Sequence, residues 1–392
     1  MKILFISTMG ASPWGGSEVL WYQSAMELAQ LGHQVHVSVK HWANPAPALQ
    51  ILREQGCRVH ERKTNRILDA VHRRLGRYPA SYHAEQALRT LAPDLAVISS
   101  GCLGEEIWLQ ACHTSGVPCA VVTQAVSESH WFPDEGAQEM ADWHQKAAAC
   151  FFVSERNLKL AETILATGLP NARVIRNPFN VRYDAVCDYP AEEPALRMAC
   201  VARLEPASKG QDLLLEVLSL PKWRERNLEV SFYGNGVNGK VLQALARRFD
   251  LQSVSFPGHT ANIEEIWNHH HLLILPSRFE GLPLALVEAM LCGRAAVVTD
   301  VAGNVEMVDD NETGFVAAAP TVALLDEAME RAWHRRADWA AMGAEAARRV
   351  RLRVPPDPSV RFTREILQLA GSHQAQPVPR PRSKEILPLT DT

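Results

Sequence analysis

The stretch "LLILPSRFEGLPLALVEAMLCGRAAVVTD", Leu272 to Asp300, holds two apolar runs of strand length around a loop and a helical run. Pro283 suits the first helical position, where its missing N–H costs nothing, and Gly293 closes the helix before the second run. Strand, helix and strand in that order make the repeating unit of a parallel sheet. The same stretch sets a problem: Glu288 lies inside the helix with almost only apolar neighbours. An unpaired buried carboxylate costs several kcal/mol, so Glu288 needs either a basic side chain within the fold or a ligand outside it.

Outward from this stretch the pattern repeats. The first half of the chain offers the strand candidates "KILFIS", "QVHVSV", "LAVISS", "CAVVTQ", "CFFVS" and "ARVIRN". The second half offers "RMACVAR", "EVSFYG", "SVSFPG", "LLILPS", "AAVVTD" and "GFVAA". Helical patterns separate them, so each half reads as a doubly wound α/β sheet, and 392 residues exceed what one hydrophobic core usually serves. The proline-rich "NPFNVRYDAVCDYPAEEPA" between the halves lacks helical periodicity and reads as a linker. The predicted organisation is a first domain over 1–178, a linker over 179–195 and a second domain over 196–355. A terminal helix over 356–371 is expected to dock back on the first domain, and the proline-rich tail 372–392 to be disordered.

Composition excludes several classes. A formal net charge of −4, with 47% hydrophobic and 21% charged residues, is that of an ordinary globular protein and argues against nucleic acid. Eight cysteines without a CxxC pair read as buried thiols in a reducing compartment. The amino-terminal apolar run is too short for a signal sequence and nothing spans a bilayer, so a cytoplasmic location is expected. Between Arg53 and Arg89, nine Arg or Lys face four Asp or Glu, a net of +5. That segment reads either as a solvated helical face or as a peripheral contact for anionic lipid or an acidic acceptor.

Ligands of open parallel sheets bind beyond the carboxyl ends of the strands, which directs attention to the loops there. Backbone N–H groups at Gly281 and Leu282, backed by the helix dipole, form an anion site with Glu280 at its lip. Glu288 lies five residues past Pro283, about 7.5 Å along the helix axis. A ligand touching all of these has an anionic part at the helix start and hydroxyls alongside, the shape of a sugar nucleotide. In "RMACVARLEPASKGQDLLL", Arg203 ends a strand and Lys209 precedes a helix, so both cations can reach the same crevice and stabilise a departing diphosphate. Gly15 and Gly16, after the first strand, permit close backbone approach to a phosphate. Two other motifs carry less. "GNGVNG", Gly234 to Gly239, matches a dinucleotide fingerprint, but the next strand ends without the acidic residue an adenosine ribose needs. His269 to His271 are adjacent, and three neighbours cannot all face one metal ion.

In combination, "GGSE", "GHQVHV", "ARLEPASKG", "YGNG", "PSRFEGLPLALVEAMLCG" and "VAGNVEMVDDNETGF" resemble the retaining glycosyltransferases of family 4, from Met1 to about Ala370. The resemblance implies the GT-B fold, two Rossmann-like domains facing each other across a cleft, and retention of anomeric configuration without a metal or other cofactor. It implies that Arg203 and Lys209 hold the diphosphate of a UDP- or GDP-sugar, Glu288 the ribose, Glu280 the donor sugar and Gly16 the phosphate from the opposite domain. It leaves the acceptor open, lipid-linked or saccharide. Where family members commonly carry a histidine that positions the sugar, this chain has Gln124, and His130 six residues on reads either as an acceptor-side substitute or as an ordinary surface or aromatic-packed histidine. Asn177-Pro178 replaces the usual Asn-Gly. The alternatives are a sugar-nucleotide binding protein without transfer activity and a GT-B nucleotide-sugar epimerase.

Overall fold

The computed structural model describes residues 1–10, 12–63, 81–191 and 195–374. Its first sheet comprises β1 (Lys2–Ser7), β2 (Gln34–Lys40), β3 (Arg58–Arg62), β4 (Leu95–Ser100), β5 (Cys119–Thr123), β6 (Ala149–Phe152) and β7 (Ala172–Val174). The second comprises β8 (Leu196–Val201), β9 (Leu228–Tyr233), β10 (Val254–Gly258), β11 (Leu272–Leu275), β12 (Ala295–Thr299) and β13 (Gly314–Ala317). The orders are β3-β2-β1-β4-β5-β6-β7 and β10-β9-β8-β11-β12-β13, with the neighbouring strands parallel. Each sheet therefore reverses direction once, between β1 and β4 and between β8 and β11, and these are the places where such sheets open a crevice. The fold is GT-B.

Central strands are apolar on both faces because helices cover both sides. β4, β5, β11 and β12 are buried along their whole length. One strand departs from expectation. "RVHER", within the basic segment, is not part of a helical face but the edge strand β3, paired in register with β2 from His36↔Arg58 to Lys40↔Arg62. An edge strand needs no apolar run, since one side faces water. Arg62 turns inward, its guanidinium donating to the Ser7 carbonyl at 2.5 Å and to Ser38 Oγ at 2.8 Å. Burial depresses its pKa to about 10. The helix Tyr82–Leu91 ends the basic segment, and 64–80, nearly half of the proposed lipid contact over 53–89, lies outside the described residues.

After the second domain the chain returns to the first. The helix Pro358–Gln374 lies against the helix Glu18–Gln30: the Phe362 ring meets Phe151 edge-on at 5.1 Å, and Ser24 donates to the Ser359 carbonyl. It continues through Ser372, where the sequence suggested disorder. Residues 375–392 lie outside the described residues.

Ion pairs also bridge the domains. Glu306 of the second accepts the backbone N–H of Arg156 at 2.8 Å and the Arg176 guanidinium at 3.1 Å, and both Arg176 and Glu306 side chains are only 14% exposed. Arg156 also reaches Asp300 at 3.0 Å. Replacing Glu306 by alanine leaves Arg176 with the Val153 carbonyl but without this carboxylate, and a loss of about 3 kcal/mol in chemical denaturation is expected, the low end for breaking a buried pair. An unchanged midpoint would show that the seam contributes nothing to stability.

Candidate functional site in the interdomain cleft

Gly210 brings the second domain's two loops together. It sits at φ +65, and a Cβ there would lie 1.9 Å from the Pro276 carbonyl oxygen. Only glycine permits that approach. The loop after β8 thus closes on the end of β11, with the N–H groups of Arg278 and Phe279 donating to the Ser208 carbonyl at 2.9 and 3.0 Å. Lys209, last residue of the short helix Pro206–Lys209, then meets Glu280 Oε1 at 2.7 Å, and Ser277 Oγ donates to the same oxygen at 2.8 Å. Glu280 is 6% exposed and Lys209 18%. Arg203 stands apart. Its side chain is 61% exposed, pairs with Glu205 at 3.2 Å, and borders a separate cavity of about 310 Å³ lined also by Tyr233, Asn235, His259 and Thr260. The two cations expected to converge are thus divided between the sugar-side carboxylate and the neighbouring hollow.

Glu288 resolves the problem set by its surroundings in a way not read from the sequence. The helix Leu284–Leu291 begins one residue after Pro283, which occupies the cap, and buries Glu288 to 3% exposure. Among the described residues no cation pairs with it. Oε1 accepts the backbone N–H of Asn180 at 2.8 Å and its side-chain amide at 2.9 Å. Burial pushes its pKa up, and the Asn180 bonds partly oppose the shift. Among the described residues nothing donates to Oε2. The nearby Arg294 is equally buried but spends its guanidinium on the carbonyls of Trp267, His270, Cys292 and Asp188. The internal ion pair is therefore excluded as the partner of Glu288.

The first domain closes the cleft directly over this site. A Cβ on Gly281 would lie 1.9 Å from the Gln124 carbonyl oxygen and 2.8 Å from Val153 Cγ2, both across the cleft. A Cβ on Gly16 would lie 3.1 Å from Leu284 Cδ1, whereas one on Gly15 would meet only its own loop, at Met9 Cε. Leu282, 6% exposed, packs into the second domain's core. Gln124 is buried and committed: Oε1 accepts from Asn177 at 2.7 Å and Nε2 approaches the Ser17 carbonyl at 3.4 Å. His130 does not join it. The imidazole is exposed, packs edge-on against Phe132 at 5.1 Å and is not part of the cleft wall. It thus occupies the surface, aromatic-packed position that was the alternative to an acceptor-side role.

A cavity of about 760 Å³ opens between the domains from Glu280 outward. Glu128, Arg156, Asn157 and Lys159 line its first-domain wall, and Arg278 and Asp300 its second-domain wall. Sequence reading assigned none of these six. A usable signal existed in "VSERN", where Ser154 follows β6 and caps the helix Glu155–Ile164 by accepting from the Asn157 N–H. Residues at such a strand-to-helix junction belong to the crevice.

The demoted motifs have structural explanations. Gly234 and Gly236 let their loop pack on the one bearing Arg203, since Cβ atoms there would lie 2.1 Å from the Ala202 oxygen and 2.3 Å from the Leu204 oxygen. His269 bonds Glu265, His270 the Ile266 carbonyl and His271 the backbone of Ala191, in three directions. Among the described residues, no group of three His, Cys, Asp or Glu is arranged to hold a metal, and no helix is long and apolar enough to cross a membrane.

Residues 195–335, most of the second domain, match the family described as Glycosyl transferases group 1. Among curated proteins, glycogen synthase of Leptothrix cholodnii is 30% identical over 165 residues, 38% of this chain and 33% of that protein. The poly(ribitol-phosphate) alpha-N-acetylglucosaminyltransferase of Staphylococcus aureus is 27% identical over 118 residues, 30% of this chain and 24% of that protein. The matches thus span a third or less of these two relatives. Solved structures align over nearly the whole length: Anabaena Alr3699/HepE in complex with UDP and glucose has a TM-score of 0.72 at 19% identity, covering 95% of this chain and 100% of that one.

Proposed function

We propose that the protein transfers a sugar from a nucleotide-diphosphate donor to an acceptor hydroxyl with retention of anomeric configuration. The observation carrying this reading is Glu288: a buried carboxylate, one turn along the helix from the Leu284 that meets Gly16 of the first domain, with one oxygen bonded to Asn180 and, among the described residues, no cation opposite it. A ribose diol donates two hydrogen bonds to such a group. The group 1 match over 195–335 and the UDP-bound neighbour support the same assignment. The N–H groups of Gly281 and Leu282 face the diphosphate, Gly16 approaches it from the first domain, and Lys209 stabilises the charge that grows as it leaves; Arg203, exposed beside the neighbouring hollow, joins it only by swinging away from Glu205. Glu280 orients the sugar. The acceptor attacks on the face the diphosphate leaves. As the glycosidic bond to the donor phosphate breaks and that to the acceptor oxygen forms, the departing phosphate oxygen takes the acceptor's proton, so neither metal nor cofactor is needed. A cytoplasmic enzyme of glycan or polysaccharide assembly fits this reading.

Thermal shift against UDP, GDP and ADP tests donor class, since a ligand bound only by the native state raises its stability. Glu288→Ala is expected to weaken binding of the stabilising nucleotide about 10- to 100-fold, the value of hydrogen bonds to a charged group. Equal affinity in the variant would remove the basis of the assignment. Gln124, tied up by Asn177, favours keeping the second reading, a binding protein without transfer activity. Turnover of a nucleotide-sugar panel, slow hydrolysis included, separates the two.

A further inference from the structure

The cavity beyond Glu280 contains unused hydrogen-bonding capacity of a particular kind. Most of the charged groups in its wall are already paired: Arg156 with Asp300 at 3.0 Å, Arg278 with Asp212 through two bonds of 2.6 and 2.8 Å, Glu280 with Lys209. Three polar side chains on the first-domain wall are not. Asn157 is almost fully buried, its Oδ1 accepts from the Val126 N–H at 3.3 Å, and its Nδ2 has no partner. Glu128 and Lys159 are exposed, and among the described residues neither side chain has an ion pair or a hydrogen bond. A buried amide left without a partner forfeits about 1 to 3 kcal/mol, so a ligand that accepts its hydrogen is favoured there.

What remains unpaired is one cation, one anion and one amide donor, with the charges cancelling. A lipid tail finds no match in this set, and an anion meets as much repulsion as attraction. Hydroxyl groups suit it, because each can donate to Glu128 and accept from Lys159 or Asn157. The facing wall is small and apolar, with Val301, Ala302, Ala319 and Pro320, a surface suited to the C–H face of a pyranose ring. At about 760 Å³ the space lies within the range of small-molecule sites.

We propose that this cavity is the acceptor subsite and takes the end of a neutral saccharide, with Glu128, Asn157 and Lys159 determining which hydroxyl pattern is accepted. This rests on the nucleotide-sugar reading of the adjoining site, and it places acceptor recognition on Glu128, two residues before His130 in the loop after β5, and on the helix Glu155–Ile164.

The test is ligand-observed saturation-transfer NMR on the full chain with chitobiose, lactose, cellobiose, mannobiose and a disaccharide containing glucuronic acid, with and without UDP, alongside co-sedimentation with phosphatidylglycerol vesicles. At least one disaccharide is expected to bind, and Lys159→Ala and Glu128→Ala each to weaken it about tenfold, a single charged hydrogen bond's worth. Lys159→Arg should retain binding. Both residues are exposed and without partners, so the variants are expected to fold, and UDP affinity in the same samples should not change. The proposal is overturned if no disaccharide binds, if both alanine variants bind as well as the parent, or if only a disaccharide containing glucuronic acid binds. Retention on phosphatidylglycerol vesicles without saccharide binding overturns it equally. If disaccharides bind and respond to the variants while UDP, GDP and ADP do not bind, the donor assignment falls and the saccharide site stands.

Discussion

Gly281→Ala is expected to leave both domains folded and the cleft unable to shut. The added methyl would point across the domain boundary, 1.9 Å from the Gln124 oxygen and 2.8 Å from Val153 Cγ2. Backbone oxygen on a buried strand end cannot give way as a flexible side chain does, so the domains must part by more than an ångström. Displacement of that size between reacting groups lowers turnover about 100-fold or more. Nucleotide affinity, carried chiefly by the second domain, should change far less. Small-angle scattering with UDP present should show a larger radius of gyration than the parent. A closed profile with turnover within a few-fold of the parent would mean that the Gly281 contact is not needed for activity.

Lys209→Ala is expected to lower turnover about 100- to 1,000-fold, the range for removing one preorganised group that stabilises transition-state charge. Donor affinity should fall much less, because the ammonium acts on charge that develops only as the diphosphate leaves. The variant also leaves Glu280, which is 6% exposed, with the Ser277 hydroxyl and, among the described residues, no cation. About 3 to 5 kcal/mol of stability should go with it. Combining Lys209→Ala with Glu280→Gln separates the two effects. The pair should recover stability and recover no turnover. If Lys209→Ala alone turns over at the parental rate, Lys209 is a structural partner of Glu280 and nothing more.

The fold was legible because strands covered by helices on both faces must be apolar throughout. That is why "LLILPS" and "AAVVTD" stood out as β11 and β12, and all six strand candidates of the second half coincide with β8 to β13. β3 escaped because an edge strand can be written in polar residues, and "RVHER" has only one apolar side chain. Glu280 and Glu288 stood out as charges in apolar text, but their partners did not. Asn180 meets Glu288 from 108 positions away, across a linker whose path periodicity does not encode. Nor did Glu128 and Lys159 differ from ordinary solvated charges, since what distinguishes them is that their neighbours are paired and they are not. For His130 the sequence left two readings open, because proximity to Gln124 does not give the direction in which the loop turns, and its packing on Phe132 fits the aromatic-packed one.

The returning helix Pro358–Gln374 has a consequence for motion. Because Phe362, Ile366 and Leu369 are built into the core of the first domain, the polypeptide crosses the boundary twice, once near Asn180 and once just after Val354. Two covalent crossings act as a pair of pins: relative movement is confined to a swing about the line joining them, and sliding or free tumbling is suppressed. A fragment ending at residue 178 would lack those three side chains and bare the apolar surface around Trp21 and Phe151. The halves of this chain are thus separable on paper but not with a restriction site.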